Sequence, residues 1–229
     1  MFTGEPMSLI QLKRVCKSYQ SGAQRVDAVR DVDLRIAAGE FAVLAGPSGS
    51  GKTTLLNLIG GLDQPDQGQV LVEGINLAAC NAAQLADFRL RRIGFVFQSF
   101  NLIPVLTARE NAEFVLMLQN APPALRQTRI NALFEELGIS GLERRKPMEL
   151  SGGQQQRVAV ARAMASEPAV VLADEPTANL DSETANGLLR LMRRLNRELG
   201  TTFLFSSHDQ KVIDHADRVI LLKDGRIVA

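Results

Sequence analysis

Gly46-Pro47-Ser48-Gly49-Ser50-Gly51-Lys52-Thr53 fits the order G-x-x-x-x-G-K-[ST]. Glycines there let the backbone make turns that a Cβ would block, so successive N–H groups point inward and form a nest for an anion. A helix starting at Lys52 adds the partial positive charge of its N-terminus. In such a cradle Lys52 is placed to bridge the β- and γ-phosphates of a nucleoside triphosphate, and the Thr53 hydroxyl to meet Mg²⁺, with Thr54 next in the binding stretch.

Two further clusters belong to the same chemistry. Val170-Val-Leu-Ala-Asp174-Glu175 is an apolar run ending in two carboxylates. At the C-terminal edge of a parallel sheet, where ligands of such sheets bind, this places both beside the phosphate cradle. Asp174 suits Mg²⁺, directly or through water. Glu175 points elsewhere and can reach a water in line with the γ-phosphate, as general base or as orienter. Leu150-Ser151-Gly152-Gly153-Gln154 opens another helix, with Ser151 as its cap and two glycines that permit close backbone approach. This is a second phosphate-reading helix end without a lysine.

The elements that must position these groups are legible in the apolar spacing. Leu9 to Val15 and Val32 to Ile36 alternate as half-exposed strands do. Phe41 to Ala45 is short, wholly apolar and followed by glycine, as a strand buried on both faces reads. Helix is expected from about Lys52 to Ile59 and strand over Gln69 to Glu73. From Leu85 to Arg162 the spacing is mostly helical, as in Glu110 to Leu118 and Arg126 to Leu137, with a break at Pro122-Pro123. Strand returns at Ala169 to Ala173, helix at Ser182 to Leu199, strand at Thr202 to Ser206. Arg218 to Leu222 and Arg226 to Val228 flank the hairpin signal Asp224-Gly225. Strands alternating with helices imply a parallel sheet with right-handed crossovers.

Composition sets outer bounds. The 229 residues suit one large domain, and 45% hydrophobic with 22% charged residues is ordinary for a globular protein. A formal net charge of +1 gives no field that would gather nucleic acid or anionic lipid. Cys16 and Cys80 stand alone and read as reduced structural thiols, and two histidines are too few for a zinc site without carboxylates at helical spacing. Glu5 and Pro6 interrupt any signal-peptide core, and no apolar run approaches the ~18 residues of a membrane span. A cytosolic or peripheral protein is expected, held at any membrane by something else.

Leu150 to Gln154 match the signature motif of ABC ATPases letter for letter. The family's other motifs stand in order across nearly the whole chain. Tyr19 resembles the aromatic that stacks on adenine, and Gln98 in Phe95-Val-Phe-Gln98 resembles the Q-loop glutamine that touches Mg²⁺ and the attacking water. Ala178-Asn-Leu-Asp181 resembles the D-loop, and His208 in Ser206-Ser-His208-Asp the switch histidine at the γ-phosphate. The resemblance implies an α/β fold: a P-loop NTPase core with a mostly parallel sheet, an N-terminal antiparallel β subdomain and an inserted α-helical subdomain. The whole chain, 1–229, would be one ATPase domain, with 1–87 and 163–229 as core and 88–162 as helical insertion. It also implies ATP and Mg²⁺ as cofactors, and a head-to-tail homodimer in which one copy's P-loop and the other's signature turn close on each ATP. Thr53 replaces the commoner serine, and Asn179 stands where many relatives carry another small residue.

Leu56 to Leu62, Arg92 to Gln98, Phe100 to Pro104 and Asp174 to Asp181 together resemble the lipoprotein-releasing and macrolide-export branch. That implies a separate integral membrane permease, received at Ser99 to Thr107, and a peripheral place on the cytoplasmic face. The expected function is ATP hydrolysis driving export or lipid extraction. The alternative is an ABC ATPase whose permease-like partner serves signalling or cell-wall remodelling. Repair relatives carry long coiled coils and translation relatives two ATPase halves in one chain, and this sequence has neither. No Asn-Lys-x-Asp guanine-reading motif is clear.

Overall fold

A computed structural model describes residues 8–22 and 24–228. The chain divides into two compact units, one running to Ala86 and resuming at Thr202, the other covering Asp87–Thr201.

In the first unit, β1 (Ser8–Ser21) and β2 (Gln24–Ala37) form a long antiparallel pair, and β1 also pairs with β4 (Gln67–Val72), which pairs with β5 (Ile75–Asn76). The order is β2-β1-β4-β5. Ile10 and Leu12 face the core as the alternation requires, but Val15 is also buried, which breaks the period of two. A register shift between Leu12 and Val15 absorbs the extra residue, with Arg14 at φ 47°. Opposite, Asp31 at φ 50° lets Val29 and Val32 both reach the core.

The unit's second sheet centres on β3 (Phe41–Ala45), whose five residues are all buried. It lies parallel to β8 (Thr202–Ser207) on one side and β9 (Arg218–Lys223) on the other. β10 (Arg226–Ile227) returns antiparallel on β9 through Asp224 and Gly225, both at positive φ, as a tight two-residue hairpin demands. Phe41, Phe203 and Phe205 pack with ring centroids 4.6–5.9 Å apart. On this sheet rests α1 (Lys52–Ile59), burying Leu55, Leu58 and Ile59. The short α7 (Gln210–Asp214) follows β8, with Asp209 as its cap.

α2 (Ala82–Arg92) crosses the boundary between the units. The second unit then holds β6 (Ile93–Val96), α3 (Ala108–Leu118), α4 (Pro123–Glu136), α5 (Gly152–Met164), β7 (Val170–Asp174) and α6 (Ser182–Leu199). β6 lies parallel to β7. It interrupts a stretch whose spacing reads as helix, because four residues are too few for a period to speak. Gly94 within it sits against the α5 backbone, where an added Cβ would lie 2.5 Å from the Ala163 carbonyl oxygen. Pro122 and Pro123 do not merely break a helix. Pro123 occupies the first helical position of α4, where its missing N–H costs nothing. Thr107 and Glu110 close a capping box at α3, and the buried Asn111 amide holds the preceding loop through the Ile103, Leu106 and Thr107 carbonyls.

A candidate nucleotide-binding site

The glycine loop leaves β3 and enters α1 as its spacing requires. Gly51 caps α1 at φ 104°, and a Cβ there would stand 2.2 Å from the Ala28 carbonyl oxygen. At Gly46 a Cβ would lie 2.1 Å from the Leu222 carbonyl oxygen. No side chain fits at either place, so the loop's close seating on β2 and β9 fixes both glycines. Lys52 is buried, and its ammonium donates to the carbonyls of Gly46 at 2.8 Å and Pro47 at 3.0 Å. No carboxylate among the described residues pairs with it. A buried cation held only by the carbonyls of its own loop is short of negative charge, and a phosphate would supply it. The buried Ser50 hydroxyl beside Gly46 likewise lacks a hydrogen-bond partner among the described residues. Pro47, Ser48, Gly49 and Thr53 are exposed on the loop and first turn.

Within the same unit, Ala45 is level with Ser207 in the parallel β3–β8 pair. The cradle and His208 therefore leave neighbouring strands at the same edge, and His208 is exposed there. Tyr19 is 40% exposed, which leaves its ring open to a base, and its hydroxyl donates to Asp63 at 2.7 Å and bonds Thr54 of α1. The Lys17 ammonium lies 5.2 Å from the Tyr19 ring centroid and 2.7 Å from Asp63. Burial, reinforced by the Asp63 carboxylate, raises the tyrosine pKa. Burial also works to raise Asp63, but the bonds from Lys17 and Tyr19 outweigh it and hold that carboxyl below its usual range. Sequence reasoning missed Asp63 and Lys17, because nothing local ties them to Tyr19.

In the second unit, Val96 is level with Ala173 in the β6–β7 pair. Gln98 and the Asp174-Glu175 pair thus come off adjacent strands at one edge. Gln98 is exposed, and both carboxylates are half-buried. Glu175 has φ 45°, a left-handed backbone rare for a residue with a side chain, and such strain collects at functional sites. The signature turn opens α5 with a complete capping box. The Ser151 hydroxyl accepts from the Gln154 N–H at 3.3 Å, and the Gln154 side chain accepts from the Ser151 N–H at 3.0 Å. That leaves the N–H groups of Gly152 and Gly153 as orphan donors of the first turn, with no acceptor among the described residues. Asp181 caps α6 through the Glu183 and Thr184 N–H groups, and hydrogen bonds from the Thr184 side chain, then its N–H, lower the Asp181 pKa.

No three His, Cys, Asp or Glu side chains among the described residues gather into a metal cage. That suits Mg²⁺, which is commonly held by one or two protein oxygens and the phosphates it accompanies. Cys16 and Cys80 are free thiols. No helix among the described residues is long and apolar enough to cross a membrane.

Known proteins are similar to this chain over nearly its whole length. An ATP-binding protein of an ABC transporter in Methanocaldococcus jannaschii, MJ0796, is 45% identical over 223 residues, covering 96% of this chain and 95% of that one. The lipoprotein-releasing system ATP-binding protein LolD of Anaeromyxobacter dehalogenans is 46% identical over 221 residues, 96% of this chain and 92% of its own. The macrolide export ATP-binding/permease protein MacB of Escherichia coli is 45% identical over 221 residues, and this chain spans 34% of it. Among solved structures, a dimeric post-hydrolysis state of the MJ0796 cassette with ADP and Pi superposes with a TM-score of 0.89 at 42% identity, covering 96% of this chain and 97% of that one. The ABC transporter family model matches residues 29–178, and the chain belongs to that family.

Proposed function

We propose that this chain is the ATP-hydrolysing subunit of an ABC transporter, and that it binds ATP between two copies of itself. The observation that carries the reading is Lys52, a buried cation whose only hydrogen-bond partners among the described residues are two carbonyls of its own glycine loop. The similarity to a cassette solved as a dimer with ADP and Pi supports both the nucleotide and the pairing.

The residues take these parts. Gly46 to Thr54 wrap the phosphates, Lys52 shifts from its carbonyls to the β- and γ-phosphates, and Tyr19 stacks on the base. Thr53, Asp174 and Gln98 are the residues that would hold Mg²⁺, which would neutralise charge developing on the transferred phosphoryl group. Glu175 orients or deprotonates the water, and His208 and Gln98 respond to the γ-phosphate. Ser151, Gly152, Gly153 and Gln154, with Asp181 at the start of α6, complete the site from the opposite copy. Each chain has one cradle and one signature turn, so two copies make two sites. ATP then holds the copies together and hydrolysis releases them.

The name of MacB joins an ATP-binding part to a permease, which supports work done on an integral membrane permease. The similarity to LolD over nearly its whole length favours a permease on a separate chain, with this chain at the cytoplasmic face of the membrane. Export or lipoprotein extraction is the reading favoured here. A permease-like partner serving signalling or cell-wall remodelling would use the same ATPase cycle, and ATP-dependent movement of a substrate separates the two. The first test is Glu175→Gln. It should keep ATP affinity, lower phosphate release at least about a hundredfold, and elute as a dimer with ATP in gel filtration. A monomer under those conditions would sink the composite site.

A further inference from the structure

Four carbonyls in five residues of the Q-loop segment accept hydrogen bonds from side chains far away in sequence. The Gln98 carbonyl accepts from the Asn179 amide at 2.9 Å. The Phe100 and Asn101 carbonyls accept from the two ends of the Arg162 guanidinium, at 2.9 and 2.6 Å. The Phe97 carbonyl receives a longer bond, 3.4 Å, from the Gln156 amide, which also donates to the Pro176 carbonyl at 2.7 Å. Gln156 thus bridges the two loops that follow β6 and β7, one carrying Gln98 and the other Glu175.

The backbone held this way is not one the segment would choose alone. Phe100 and Asn101 lie at φ 62° and 49°, two successive left-handed residues. Such a turn persists where its surroundings over-determine it, and the Arg162 fork matches the spacing of the two carbonyls it displays. Gln156 is fully buried, yet its side-chain oxygen has no partner among the described residues. An apolar residue would pack there without that desolvation cost, so the amide is kept for what its N–H groups hold. All three donors sit on elements of the proposed trans-acting surface. Gln156 and Arg162 are on α5, which begins at the signature turn. Asn179 is in the D-loop, where its carbonyl oxygen and the Phe100 ring are neighbours of Gly152.

We propose that Asn179, Gln156 and Arg162 are positioning residues that hold the backbone of the Gln98 loop against α5 and the D-loop, and so set the place of the Gln98 side chain in the site. This rests on the reading of Gln98 given above. Asn179 makes the most direct contact and is exposed, so its removal leaves the core intact.

The test is a double-mutant cycle on the whole chain, with ATP turnover, KM for ATP and urea midpoint measured for Asn179→Ala, Gln98→Ala and the pair. Asn179→Ala should lower kcat about tenfold with KM and urea midpoint nearly unchanged. In the Gln98→Ala background it should cost less than about twofold more. Gln156→Met, which fills the space without the donor, should behave like Asn179→Ala. A full additional loss in the double variant would overturn the proposal, since Asn179 would then act by a route other than Gln98. Normal turnover in Asn179→Ala beside an impaired Gln98→Ala would overturn it and leave the role of Gln98 standing. Normal turnover in Gln98→Ala would overturn both.

Discussion

The two signature glycines stand side by side, yet the structure gives them different reasons to be glycine. A Cβ at Gly152 would find its nearest neighbour at 3.6 Å, the Phe100 ring, an ordinary contact. The residue opens α5 without positive φ, so Gly152→Ala should stabilise the lone chain by roughly 0.4–1 kcal/mol through the unfolded state. At Gly153 a Cβ would stand 2.4 Å from the Thr184 Cγ2. Thr184 cannot simply rotate away, because its hydroxyl donates to Asp181 at 2.6 Å. Overpacking of this kind costs about 1–3 kcal/mol, whether Thr184 rotates and gives up that bond or stays in a strained rotamer, against the same small gain from alanine. Gly153→Ala should therefore destabilise by about 1–2 kcal/mol. Adding Thr184→Ser removes the methyl, keeps the hydroxyl, and should restore most of the loss. Urea midpoints read these differences. ATP-dependent dimerisation and phosphate release should show the opposite ranking for Gly152→Ala, with a stable chain and turnover down at least about tenfold, because the alanine methyl would crowd the surface proposed for close approach by phosphate. Wild-type turnover in Gly152→Ala would refute the approach of the signature turn to the nucleotide. Failure of Thr184→Ser to recover Gly153→Ala would refute the packing account.

On the proposed role of His208 at the γ-phosphate, His208→Ala should slow steady-state turnover about a hundredfold, near 3 kcal/mol of barrier; near-normal phosphate release would remove it from the site. Tyr19→Ala should weaken ATP binding roughly tenfold, as expected for the loss of base–aromatic stacking, while Tyr19→Phe keeps the ring and should stay within about twofold by equilibrium titration. Equal losses in both would assign Tyr19 to its bond with Asp63 instead. Because the folded-state pKa of Asp63 is lowered, its stabilising contribution is present above the ordinary carboxylate value near ~4 and is lost as pH falls through the folded value. Asp63→Asn should thus flatten the decline of the urea midpoint in acid, and parallel pH profiles for the two proteins would count against the Lys17–Asp63–Tyr19 cluster.

Much of the candidate site lies in short runs whose meaning is local. Three residues of cradle spacing and one lysine state an anion nest, because the loop's dihedrals and the first turn of α1 are decided within a few residues. The same holds for Ser151 and Gln154, whose capping box is a contact across three positions, and for Asp224-Gly225. The buried strands β3 and β7 announce themselves by unbroken apolar runs. Local spacing has no such hold on β6, too short to show a period, or on β1, where a bulge at Arg14 shifts the alternation to keep Val15 buried.

What the tertiary structure alone decided is which polar groups meet. Asn179 reaches the Gln98 carbonyl across 81 positions, Asp63 reaches Tyr19 across 44, and the Thr184 methyl takes the space a Cβ at Gly153 would need. The sequence by itself determined where a phosphate could be gripped, since dihedral freedom and helix ends are properties of a few adjacent residues. It could not determine how the gripping groups are held in register, since that follows from burial and hydrogen-bond satisfaction among segments that only folding brings together.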